Sequence, residues 1–148
     1  MSDDFDALLD AAIERKASKR ETADVTVQVG GKPFLFRFTE MDSREWVRVT
    51  AGFPPRVEVA VDRAFGYDAN AASEVAAPMS GVRVDGDDVT ELTPEQWKKL
   101  FNGLSATGLR AIADTLFWLN EREQLDRLVE AKKAFEGALV KKRRSPAK

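Results

Sequence analysis

The side chains able to do chemistry in this chain are carboxylates, lysines and hydroxyls, because its 148 residues include no cysteine and no histidine. That removes thiolate nucleophiles, disulfides and zinc–thiolate sites. It also removes the commonest general base and the commonest metal ligand. Carboxylates crowd most closely at Asp85-Gly86-Asp87-Asp88. A calcium loop needs a fixed series of oxygen ligands that closes on a later glutamate, and that pattern is missing. Asp and Gly are turn residues, so the segment reads as a solvated turn. Neither Asp87-Asp88 nor any other carboxylate pair has a base, a metal ligand or a phosphate loop beside it. Gly30-Gly31 is not followed within a few residues by a helix and carries no Lys-Ser/Thr pair, so it is no phosphate cradle. The expectation is a protein that is not an enzyme, with no catalytic residues, no cofactor and no metal site.

Charge is the next candidate for function. Residues 1–119 hold 14 basic and 20 acidic side chains, net −6, whereas residues 120–148 hold 9 basic and 5 acidic, net +4. A nucleic-acid binder would use the cluster Lys141-Lys142-Arg143-Arg144. That cluster contains no aromatic residue for base stacking, and an acidic body repels phosphate. Nucleic acid is therefore the weaker reading. No apolar run approaches the ~20 residues of a membrane span. Met1-Ser2-Asp3-Asp4 lacks the basic start and apolar core of a signal peptide. No membrane partner is expected.

The elements that must position any binding surface follow from periodicity. Phe5, Leu8, Leu9, Ala12 and Ile13 recur at helical spacing over residues 3–19, with acidic residues at the start and basic ones at the end. This amphipathic helix is expected to hide its stripe on its own domain, the alternative being a docking element. Val25, Val27 and Val29, then Phe34, Phe36 and Phe38, alternate on either side of Gly30-Gly31, which predicts a hairpin with a primed turn. Asp42 with Glu45 starts a short helix carrying Trp46 and Val49, and Gly52 stops it. Phe53-Pro54-Pro55-Arg56 reads as a rigid connector. Residues 57–67 fit a strand or a helix equally well. Residues 69–77 are alanine-rich and helical, ended by Pro78, and Val82 to Val84 is a short extended piece.

The strongest local signal is Thr93-Pro94-Glu95-Gln96, a capping box with proline at the first helical position. Trp97, Leu100, Phe101 and Leu104 follow at helical spacing, then Ser105 caps a second helix with the stripe Leu109, Ile112, Ala113, Leu116 and Phe117. The predicted core is Val27, Phe36, Trp46, Trp97, Leu100, Phe101, Leu104, Ile112, Leu116 and Phe117. The fold class is α+β, a mostly helical single domain with one N-terminal β-hairpin. Its parts are an amphipathic helix (1–20), a hairpin plus helical core (21–120), a charged helix (121–140), which continues the previous one or restarts after Asn120, and a disordered basic tail (141–148).

These elements in this order resemble the tail assembly chaperones, in their short form, of long-tailed phages of actinobacteria. The resemblance spans residues 24–120. It rests on the hairpin before Arg44-Glu45-Trp46, on Phe53-Pro54-Pro55-Arg56, on Gly66-Tyr67-Asp68, and on Leu92-Thr93-Pro94-Glu95-Gln96-Trp97 with Leu104-Ser105 and Leu119-Asn120. The sequence departs from the family at 69–73, where a Phe-Pro pair is usual, and at the turn 81–88. The resemblance implies a non-catalytic holdase for the tape measure protein, made in the host cytoplasm and absent from the mature virion. It also implies a longer, frameshifted product of the same gene. Lys132-Lys133, Lys141-Lys142 or Glu136-Gly137-Ala138 would mark the slip, and tail-tube subunits would take over the client. The competing reading is a structural component, a head–tail connector or minor tail protein.

The partner-binding candidates are Trp118, Leu125, Leu128 and Phe135. The last two helices carry more apolar surface than one neighbouring helix needs. The same side chains could instead complete the domain's own core. The client surface, the oligomeric state, the host and the conformation of residues 57–90 stay open at this level.

Overall fold

The computed structural model describes residues 2–18 and 20–144. Helix α1 (Ser2–Ser18) precedes strands β1 (Thr22–Val29) and β2 (Lys32–Thr39). Gly30 and Gly31 join them with φ of 59° and 80°, the two positive values that a type I′ turn needs and that glycine adopts without strain. Val25 lies opposite Phe36 and Val27 opposite Phe34. This puts the β-branched and aromatic residues of both strands on one face.

That face packs on helices. After α2 (Ser43–Ala51), α3 (Ala60–Phe65) and α4 (Ala69–Ser80), the chain forms α5 (Pro94–Gly103) and α6 (Ala106–Phe117). The Trp97 ring of α5 lies 5.8 Å from Phe36 and 6.2 Å from Phe38. Ile112, Leu116 and Leu119 are fully buried behind them. Thr93 and Gln96 form the predicted reciprocal cap, with hydrogen bonds of 2.8 and 3.2 Å, and Ser105 accepts from the Gly108 N–H to start α6. Small residues Ala69, Ala72, Ala76 and Ala77 line the buried side of α4, which packs against α5 and α6. Of the predicted core, only Phe117 is half-buried; it stacks on Phe65 with ring centroids 4.2 Å apart.

Four expectations need correction. The hairpin is not alone: β3 (Gly81–Asp85) and β4 (Asp88–Thr90) extend it into a four-stranded antiparallel sheet in the order β1-β2-β3-β4. Asp85 to Asp88 is the turn of that second hairpin. A lone hairpin is marginal, and here β2 gains a partner on its second edge. Secondly, Pro78 does not end α4. It sits in the last turn, and the helix runs on to Ser80, closed by the Gly81 N–H on the Ala77 carbonyl. Proline forfeits the bond to the Glu74 carbonyl and crowds it, and the helix ends two residues later. Thirdly, the α1 stripe does not pack on the domain; Phe5, Leu8, Leu9 and Ile13 are all exposed. Fourthly, the final helix α7 (Glu123–Arg144) includes residues 141–144, which were expected to be disordered. Residues 145–148 lie outside the described residues.

The ambiguous segment 57–67 is settled by one buried carboxylate. Asp62 is wholly buried and accepts from the Arg56 backbone and guanidinium and from the Ala69 N–H, at 2.8–3.2 Å. The Arg56 guanidinium holds its carboxyl down at a pKa of about 2, against the opposing effect of burial. This clasp folds the Pro-Pro connector onto α3, which ends at Gly66 in the left-handed conformation (φ 86°). It sets Tyr67 into the core, edge-on to Trp46.

Candidate partner-binding site

The sequence places its candidate partner residues on α7 and just before it, and the way α7 leaves the body decides what they can do. Between α6 and α7 the chain does not restart. It passes through one π-helical turn, Trp118–Arg122. The wider turn changes the phase of the side chains: Leu119 is fully buried while Trp118 is 44% exposed. Such insertions are frequent at functional positions.

Asn120 makes the turn specific. Its side-chain oxygen accepts from the Met41 N–H at 2.8 Å, and its amide donates to the Leu116 carbonyl at 2.9 Å. One residue on, Glu121 accepts from the Trp46 indole N–H at 3.0 Å. Gln124 donates to Glu40 at 3.0 Å, and Arg127 bridges Glu123 at 2.6 Å and Glu21 at 3.4 Å. The junction between the hairpin's open end and α2 thus holds the first turn of α7 at several points. Asn120 and Glu121 are the positioning residues that sequence reading did not single out. Their one visible signal was a polar pair interrupting an otherwise apolar stripe.

Beyond this root the helix stands out. Residues 124–142 are all exposed. Leu125 is 53% exposed, Leu128 51% and Phe135 67%. With Val129, Leu139 and Val140 they share one side of α7, because their spacing of three, four and seven residues returns to the same face. Lys132 and Glu136 interrupt that stripe. Leu125, Leu128 and Phe135 are therefore brought onto one uncovered face. Trp118 lies about two turns before it, on the π-helical segment. The alternative that these side chains complete the domain's own core does not hold, since all four are substantially exposed.

The other candidate features are local. Asp85 and Asp88 close the β3–β4 turn around Gly86 (φ 62°), as turn residues do. Among the described residues, no group of three or more carboxylates is arranged to hold a metal ion. No helix of the described residues is long and apolar enough to cross a membrane. An open apolar recess of about 290 Å³ lies between the sheet and α5, lined by Phe34, Phe36, Leu92 and Leu100 with Arg83 and Lys99 at its rim. Arg83 sits over the Phe34 ring at 5.0 Å, which occupies its charge.

Comparison with known proteins gives no match to a family model, to a curated protein or to a solved structure.

Proposed function

We propose that this chain is a non-catalytic binding protein for an amphipathic helix, and that its activity is the one its sequence resemblance implies. It would chaperone the tape measure protein while a phage tail assembles. One observation supports this reading above others: α7 presents an exposed apolar stripe, Leu125, Leu128, Val129, Phe135, Leu139 and Val140, broken by Lys132 and Glu136, on a helix tied to the body at its base. A client helix with a matching stripe gains by covering it, in the helix-against-helix mode. Exposed contiguous apolar surface of this kind marks interaction sites. The client is released when tail-tube subunits replace the chaperone. A frameshifted longer product would share the chain up to the slip at Lys132-Lys133, Glu136-Gly137-Ala138 or Lys141-Lys142, and replace part of the basic tail with a different segment.

Co-expression with the tape measure protein tests the reading. Phe135→Ala and Leu128→Ala each remove an anchor of a kind worth ~1–2 kcal/mol or more, so recovered complex should fall about tenfold. The melting temperature should stay within about a degree, because neither side chain is buried. Undiminished co-purification would overturn the assignment of the surface. Detection of the chain in mature particles by mass spectrometry would favour a structural tail or connector component. An antibody to residues 1–119 should reveal a second, larger product that disappears when both lysine pairs and the Gly137 region are silently recoded.

A further inference from the structure

Two helices of this chain carry uncovered apolar stripes, and their charges are opposite. Residues 2–14 hold five acidic side chains and no basic one, whereas residues 131–144 hold six basic and one acidic. The apolar stripes lie within the same segments: Phe5, Leu8 and Ile13 on α1 are 64–68% exposed, and Phe135 on α7 is 67% exposed. Helix α1 has 17 residues and spans about 25 Å; the part of α7 beyond Arg127, residues 128–144, has the same length.

Within one chain the two stripes do not meet. Helix α1 is tied to the body near its end, where the Lys16 ammonium donates to the Ser43 hydroxyl. Leu8, Ala12 and Arg15 face Gln124 and Arg127 at the root of α7 across a cleft of about 400 Å³. That placement leaves the outer part of both helices bare.

We propose that α1 of one copy covers the outer part of α7 of a second copy, and reciprocally, so that the free protein is a closed two-fold dimer. The exchange is isologous, so it ends at two chains. An antiparallel arrangement sets the acidic start of α1 against the basic end of α7, and it lays the positive end of each helix dipole beside the negative end of the other. Lys132 lies inside the α7 stripe and must keep a carboxylate within reach once covered. Matching residues 2–18 in reverse against 144–128 sets Glu14 level with it, and sets Asp4 and Asp6 at the basic end beside Lys142. A client helix would compete with α1 for the same face, so self-association holds the surface until the client arrives. The dimer does not depend on the client's identity.

A charge exchange tests this on the full chain. One variant carries Asp4→Lys, Asp6→Lys and Asp10→Lys; the other carries Lys132→Glu, Lys133→Glu and Lys142→Glu. By light scattering at low salt the native chain should have twice its 16.5 kDa mass, and the dimer should weaken as salt rises. Each variant alone should associate at least tenfold more weakly, since like charges then meet at both contacts. An equimolar mixture should regain the dimer, because both contacts are again complementary. A native chain that stays monomeric overturns the proposal. So does a variant that dimerises alone, which would point to α7 pairing with α7, or a mixture that fails to recover. The chain has no native cysteine, so Phe5→Cys and Phe135→Cys chains offer a second measurement. A short bis-maleimide should link them only when the two chains are mixed. If the doubly substituted chain instead cross-links only within itself, α1 covers α7 in the same molecule and the exchange is wrong.

Discussion

Asp62 and Asn120 decide more of this architecture than any apolar residue of similar size. Asp62 accepts four hydrogen bonds from Arg56 and Ala69 with no solvent exposure. Removing the carboxylate strands the buried Ala69 N–H, while the Arg56 guanidinium, 39% exposed, turns to water, so Asp62→Ala should cost about 2 kcal/mol in urea denaturation. Its folded-state pKa, about 2, lies below the value of about 3.9 in an unfolded chain. The stabilisation is therefore complete above that unfolded value and drains away as the pH falls toward 2. Unfolding midpoints measured from pH 5 to pH 2 should decline in the native chain and decline less in Asp62→Asn. Asn120→Ala strands the Met41 N–H and should cost about 2 kcal/mol. Its second effect should be a less restrained α7. Neither residue was legible in the sequence as a partner of anything. Asp62 meets Arg56 only after the connector turns, and Asn120 meets Met41 across 79 positions. Capping residues were legible, because Thr93, Ser105 and Asp42 act within three residues of themselves.

At the scale of the element, short-range rules read well and pairing rules read badly. The first hairpin follows from alternation and Gly30-Gly31, both local. The second was visible only as an extended piece and a turn, because β3 has five residues and β4 three, too few to show alternation. Its pairing with β2 depends on a contact no local pattern encodes. Phe38 lies opposite Gly81, and a Cβ at Gly81 would come within 2.5 Å of the Phe38 ring and 2.9 Å of the Ala77 carbonyl. The glycine gives the ring its place, so α4 can pass straight into β3. Gly81→Ala must push the ring or the backbone aside and should cost about 2 kcal/mol, within the usual range for overpacking. Thermal unfolding would show it, and Gly137→Ala on exposed α7 is the control, since a Cβ there meets nothing. Loss of stability at both sites would deny Gly81 its steric role. The candidate surface was legible for the same local reason as the first hairpin: Leu125, Leu128 and Phe135 keep helical spacing. That the stripe would stay uncovered was not legible, because periodicity gives a face but not its neighbour.

The whole molecule divides into a packed body and two arms of different origin. Residues 20–123 contain the sheet and the buried core, with every fully buried large side chain among them. Helices α1 and α7 extend from it, and apart from Glu123 at the root of α7 their described side chains are exposed. An isolated helix of this length is marginal in water, because nucleation is costly and only packing makes it persist. Pinning at the root spares α7 the nucleation step through Gln124 and Arg127 but stabilises nothing beyond about a turn. Amide hydrogen exchange should therefore separate the two parts. In the dilute monomer, amides of residues 130–142 should exchange faster than those of Ile112 to Leu116 by about a thousandfold or more, the gap between local opening and global unfolding. Raising the concentration should slow exchange in α1 and α7 together if each arm covers the other's partner, and in neither if the arms act alone. Uniform protection along α7 in the dilute monomer would mean that the arm is packed, and the open face would lose its claim as a binding surface.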